Sequence, residues 1–257
     1  MKIFQTTVLV LAGFVLIACG TTTTRAGATN EPPSGSIADT YVQLGLGYFR
    51  EGNKDQARFN LLKAIELEPR APDANNAIAL LYQSEGEIAL AEQHFQRALS
   101  SDRTFNQARY NYARMLLVEN RPDDAEDQYE ILVEDVNYRL RAQAFLGLGM
   151  AREAQVNLEG AKEAFTRSYQ RDPRLVAALL ELAGVAVAQQ DFVAAKEYLD
   201  RFESQAAATP RSLKLGIDLA QAFSDADAEA SYSMTLRNMF PDSREAREHA
   251  LATQGEE

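Results

Sequence analysis

The 257 residues include no tryptophan, one cysteine and two histidines. With Cys19 alone, no disulfide can form within the chain. His94 and His249 lie far apart, and no His or Cys falls at metal-ligand spacing. This excludes zinc-type centres and Cys–His nucleophilic pairs. His94 directly precedes the packing residue Phe95 and reads as a helix-surface or interhelix residue, whereas His249 reads as exposed. Basic residues are also few, 26 Lys and Arg against 37 Asp and Glu, for a net charge of -11. Nucleic-acid binding rests on Lys and Arg against phosphate, so nucleic acid is not an expected partner. Attachment to a membrane by charge alone is excluded on the same ground. No convergent set of titratable groups is present, so neither catalysis, a cofactor nor a small-molecule substrate is expected. Long apolar runs are scarce as well. The run Val8 to Ala18 has eleven residues, too few to cross a bilayer permanently.

What is abundant is helical periodicity. In residues 38–71, Tyr41, Leu44, Gly45 and Tyr48 recur at three- and four-residue spacing on one face of a first helix, and Ala57, Leu61 and Ala64 do the same on a second. Glu51-Gly52-Asn53 separates them, and Pro69 follows the second. Neither helix buries its apolar stripe alone, so the hairpin requires copies to stack on. They follow at 72–105, 106–139, 142–175, 176–209 and about 209–242, in the large-Leu-Gly-Tyr…Ala-Phe-Ala-Pro pattern of the 34-residue tetratricopeptide repeat. The expected fold is an all-α, right-handed superhelical solenoid of six such repeats, about thirteen helices. Ser243 caps a last helix that closes its end.

Two features imitate chemistry. The pairs Gly45/Gly47 and Gly147/Gly149 resemble phosphate loops, but they sit inside helices at the small-residue position of the repeat. The acidic runs Asp123 to Asp127 and Asp225 to Glu229 resemble cation sites, but they fall at the starts of second helices, where carboxylates favour the helix dipole.

The amino terminus has a separate organisation. Lys2, the apolar run and Leu16-Ile17-Ala18-Cys19 read as a signal peptide over 1–18, followed by a cysteine that resembles the lipid-modified residue of a bacterial lipobox. Several acyl chains on Cys19 would anchor the protein, each buried methylene contributing about 0.8 kcal/mol. In bacterial lipoproteins an aspartate after that cysteine favours the inner membrane. Gly20 here therefore implies the outer membrane, facing the periplasm. Residues 20–36 carry no aromatic or branched aliphatic side chain and cannot contribute to a core, so they read as a tether, a flexible coil that spans on the order of 20 to 25 Å. The repeat domain then occupies 37–257.

Lipobox, tether and repeats together resemble the PilF/PilW family of type IV pilus biogenesis lipoproteins, the secretin pilotins. The segments YVQLGLGYFREGNKDQA at 41–57, LLYQSEGEIALAE at 80–92, Asn111-Tyr112, and SYSMTLRNMFPDSREA at 231–246 carry that resemblance. It implies a non-catalytic outer-membrane lipoprotein, monomeric before assembly, whose partner is the type IV pilus secretin and which promotes secretin localisation and multimerisation. Another periplasm-facing scaffold, in outer-membrane protein assembly or peptidoglycan association, is the alternative. By analogy with the repeat family, the partner groove includes Val42, Leu46, Phe49 and Arg50, then Asn76, Leu80 and Gln83, then Tyr110, Arg114 and Leu117. Its apolar character suits an amphipathic partner segment with helical anchors. Many family members carry a pair of cysteines where this chain aligns Leu117 and Gly149, so the junction of repeats three and four is expected to hold by packing alone.

Overall fold

A computed structural model describes residues 35–254. Among the described residues are thirteen α-helices and no strand. Cys19, the expected signal peptide and the tether as far as residue 34 lie outside the described residues.

The helices pair into six hairpins: α1 (Ile37–Arg50) with α2 (Lys54–Leu67), α3 (Pro72–Ser84) with α4 (Ile88–Ser101), α5 (Asn106–Val118) with α6 (Pro122–Glu134), α7 (Arg141–Ala154) with α8 (Leu158–Arg171), α9 (Ala177–Ala188) with α10 (Phe192–Glu203), and α11 (Pro210–Phe223) with α12 (Ala226–Met239). A terminal α13 (Arg244–Gln254) packs on α11 and α12. The sequence signals for these boundaries are local. Ser36 and Asp39 form a reciprocal capping box on α1, and Thr209 and Ser212 form one on α11. Pro72, Pro122 and Pro210 occupy first helical positions, where a missing N–H costs nothing. Asn53, Asn157, Asp191 and Asp225 cap second helices through their side chains. Ser243 Oγ accepts from Ala246 N at 3.1 Å at the start of α13.

Each hairpin turns through one left-handed residue just before the second helix: Gly52, Gly86, Asn120, Val156, Gln190 and Ser224. Glycine adopts this conformation without a Cβ clash, and Asn does so at small cost. A β-branched valine there is strained.

Packing within a hairpin matches a small residue on the first helix to a large one on the second. A Cβ placed on Gly45 would lie 2.6 Å from Leu61 Cγ, one on Gly149 2.4 Å from Phe165 Cδ1, and one on Gly216 2.7 Å from Tyr232 Cε1. Close approach, not phosphate binding, explains these glycines. A continuous cluster runs from Ala79 and Phe95 through Tyr112, Met115 and Tyr129 to Phe145 and Leu148, tying repeats two, three and four together. Full burial of one such side chain contributes about 1.5 to 3 kcal/mol.

One packing expectation fails at the first repeat. Leu44 is 48% exposed, whereas its counterparts Ile78, Leu148 and Leu182 are buried. Those counterparts lie where the second helix of the preceding repeat packs, and no described helix precedes α1. Gly47 faces open space for the same reason.

Candidate partner-binding groove

Successive first helices approach one another in the pairs α1–α3, α3–α5, α5–α7 and α9–α11, and no comparable approach joins successive second helices. First helices therefore line the inner side of the curve. The groove expected from the sequence lies on this side, in repeats one to three.

The structure divides the ten groove residues. Arg50 and Arg114 are exposed, and Leu46, Phe49, Leu80, Gln83, Tyr110 and Leu117 are half-buried. Val42 and Asn76 do not present a surface. Val42 is buried with Ala38, Ala74 and Ile78 in the cluster that joins α1, α2 and α3. Asn76 is also buried, and Asn111 Nδ2 donates to its Oδ1 at 2.9 Å, while Gln107 Nε2 in turn donates to Asn111 Oδ1 at 3.2 Å. An amide pair thus bridges α3 and α5 below the groove surface, satisfying groups that would otherwise be costly to bury. Val42 and Asn76 are covered because a first helix that touches the next first helix buries residues which the repeat pattern alone leaves open.

What remains accessible is an apolar strip with cations beside it. Leu46 and Phe49 rest against the first core cluster, Leu80, Tyr110 and Leu117 against the second. Arg50 Nε donates to Leu46 O at 3.2 Å, and the Arg114 guanidinium lies 5.9 Å from the Tyr110 ring centroid. The strip provides contact area and hydrogen-bond donors.

Buried polar groups tie neighbouring helices, and His94 takes the interhelix place its position beside Phe95 implies. His94 Nδ1 donates to Asn75 Oδ1 at 2.9 Å inside repeat two, and burial lowers the His94 pKa, favouring the neutral ring. Farther along, Glu181 on α9 meets Arg211 on α11, with Arg211 Nη1 donating to Glu181 Oε1 at 3.0 Å. The second Glu181 oxygen lies against Arg211 Nη2 as an ion pair, and Glu153 on α7 lies 3.9 Å from the same nitrogen. Burial pushes the Glu181 carboxyl up to about 7, against the opposing pull of Arg211. The signal in the sequence is a glutamate inside the apolar run Leu179 to Ala183. Among the described residues, no cluster of His, Cys, Asp and Glu has the arrangement of a metal site.

Leu117 is half-buried at the edge of the central cluster, and Gly149 lies under the Phe165 ring. A cysteine at position 149 would require that ring to move. The junction of repeats three and four is filled instead by Tyr129, Phe145 and Leu148.

These stacked hairpins, with their first helices lining a groove, define a tetratricopeptide-repeat scaffold. A family model described as tetratricopeptide repeat matches residues 42–108, 76–139 and 110–176. The chain is 35% identical over 210 residues to the type IV pilus assembly protein PilF of Pseudomonas aeruginosa, covering 82% of this chain and 83% of that protein. The solved structure of Pseudomonas aeruginosa PilF superimposes with a TM-score of 0.74 at 34% identity, covering 84% of this chain and 97% of that one. The crystal structure of PilW, a widely conserved type IV pilus biogenesis factor, shares the fold with a TM-score of 0.77 at 24% identity, covering 84% of this chain and all of that one (100%). The chain belongs to the tetratricopeptide repeat family and, within it, to the family of the type IV pilus assembly protein PilF.

Proposed function

We propose that this protein acts in type IV pilus biogenesis as a pilotin: a lipoprotein anchored through acylated Cys19 in the outer membrane, facing the periplasm, that binds the pilus secretin and promotes its multimerisation. The observation that carries the reading is the 35% identity to PilF across 82% of the chain. The apolar strip Leu46, Phe49, Leu80 and Leu117 on the first helices supports a role in holding a protein segment. An amphipathic helix set into such a groove uses two or three apolar anchors, each worth about 1.5 to 3 kcal/mol before ordering costs, enough for a micromolar complex.

The test is capture of the secretin by the full-length protein carrying Leu46→Glu or Phe49→Ala. Both variants should retain helical content and membrane attachment while capturing less secretin and yielding fewer multimers. If both capture as much secretin as the unaltered protein, the first-repeat groove is not the binding site. The anchor is tested separately with Cys19→Ser, which should release the protein from outer-membrane fractions and abolish incorporation of labelled fatty acid.

A further inference from the structure

At a valley lined by α6, α7 and α8, three arginines converge on one ring. The guanidinium carbons of Arg141, Arg167 and Arg171 lie 5.7, 5.7 and 5.0 Å from the centroid of Phe145. Beside them is a cavity of about 360 Å³, with Phe145, Leu148, Val133 and Ala164 among its lining.

The donors there exceed the acceptors. Arg141 uses Nε on the Val133 carbonyl at 2.6 Å, and Arg167 uses Nη2 on Glu163 at 2.7 Å. Neither makes a further hydrogen bond through its other nitrogens among the described residues. Arg171 makes no hydrogen bond or ion pair among the described residues. Glu130 also lines the cavity but is held by Arg152 Nη2 at 2.9 Å, which leaves Glu134 as the one lining carboxylate without an ion pair. Slight desolvation of the exposed Arg171, followed by the charges of Arg141 and Arg167, lowers its pKa from the ordinary value. Three like charges gathered over one ring oppose one another, and Glu163 on Arg167 relieves this only in part, which leaves Arg171 without an ion pair among the described residues.

We propose that this valley binds an acidic segment of a protein partner, with side-chain carboxylates on Arg167 and Arg171 and an adjacent apolar side chain in the cavity over Phe145. Guanidinium forks match carboxylates in bidentate geometry, and stacking on an aromatic face holds the planes in place. The apolar lining favours a peptide, which brings aliphatic side chains next to its charges. An anionic bilayer is disfavoured, because it is recognised through the field of a broad basic surface, and this surface is acidic beyond the cluster.

The test uses the full-length protein and two fluorescein-labelled heptapeptides, one carrying glutamates around two leucines and the other carrying glutamines at the same places. Fluorescence anisotropy should show the glutamate peptide binding about tenfold more tightly than its counterpart at low salt, as a charge-paired contact requires. Arg167→Gln/Arg171→Gln should abolish that preference, and Arg237→Gln, on α12, should keep it. Arg167 and Arg171 are exposed, so the double variant retains its circular dichroism. Equal affinity for the two peptides, no binding of the glutamate peptide, or a preference that survives the double substitution would overturn the proposal. Binding of phosphatidylglycerol vesicles through the same arginines without binding of the peptide would overturn it in favour of a lipid surface.

Discussion

Gly147 on α7 lies directly against the buried ring of Tyr129 on α6: a Cβ at Gly147 would fall 2.2 Å from Tyr129 Cζ. The ring belongs to the cluster that joins repeats two, three and four, so it has little room to withdraw. Gly147→Ala is therefore expected to destabilise the protein by about 1 to 3 kcal/mol, the usual range for overpacking. Gly47 supplies the control, because a Cβ there meets nothing within 4 Å. Gly47→Ala should be neutral or stabilising by up to about 1 kcal/mol through helix propensity. Urea midpoints measure both, and equal shifts for the two variants would contradict the packing argument.

Val156 holds the left-handed turn of repeat four with φ 63°, while Gly52 and Gly86 hold the same place in repeats one and two. Its side chain is 77% exposed, so replacement sacrifices little packing. Val156→Gly or Val156→Asn should stabilise the protein by about 1 kcal/mol by relieving backbone strain. A lower melting temperature for both variants would show that the turn is not strained.

Much of this architecture was legible because the repeat writes each contact several times. Repeat spacing marks Gly45 and Gly149 as small-residue positions inside first helices, and the fold sets Leu61 and Phe165 against them. The groove was legible only in part. Leu46 and Phe49 keep accessible surface, but Val42 and Asn76 are covered by the next first helix, and burial of that kind depends on the curvature of the stack. Curvature is a sum of small rotations between repeats, which the spacing of apolar residues does not encode. The arginine cluster was invisible for another reason: Arg141 and Arg167 come from different helices, and only the hairpin brings them to Phe145.

The sixth hairpin should act as a cap. Its α11 buries Leu213, Leu215, Ile217 and Leu219, and Leu215 and Leu219 share a cluster with Leu179, Leu199 and Phe202 of repeat five. Truncation after residue 208 exposes that fifth-repeat surface, so the shortened protein should be less soluble and melt at lower temperature. An unchanged melting temperature would count against a capping role.

Glu181 gives the stack a pH dependence of predictable sign. Its carboxyl is pushed up to about 7 by burial, from an ordinary value of 4.5, with Arg211 opposing the shift and Glu153 adding to it. The folded protein therefore binds a proton that the unfolded chain releases, and its stability falls as pH rises from about 4.5 to about 7. Glu153 is also raised by burial and acts in the same direction, while His94, lowered by burial, acts in the opposite one. The Glu181 contribution is isolated by comparing the protein with Glu181→Gln, which removes the titration and keeps an acceptor for Arg211. The variant should gain stability relative to the parent as pH rises from 5 to 8, by about 1 to 2 kcal/mol once screening at the partly exposed Arg211 is allowed for. Arg211→Met should do the reverse, costing more at pH 8 than at pH 5, because it leaves the carboxylate charged without its cation. Urea unfolding across this range measures both differences. If each stays constant from pH 5 to pH 8, Glu181 does not titrate in the folded protein, and the pair is a permanent ion bridge between α9 and α11.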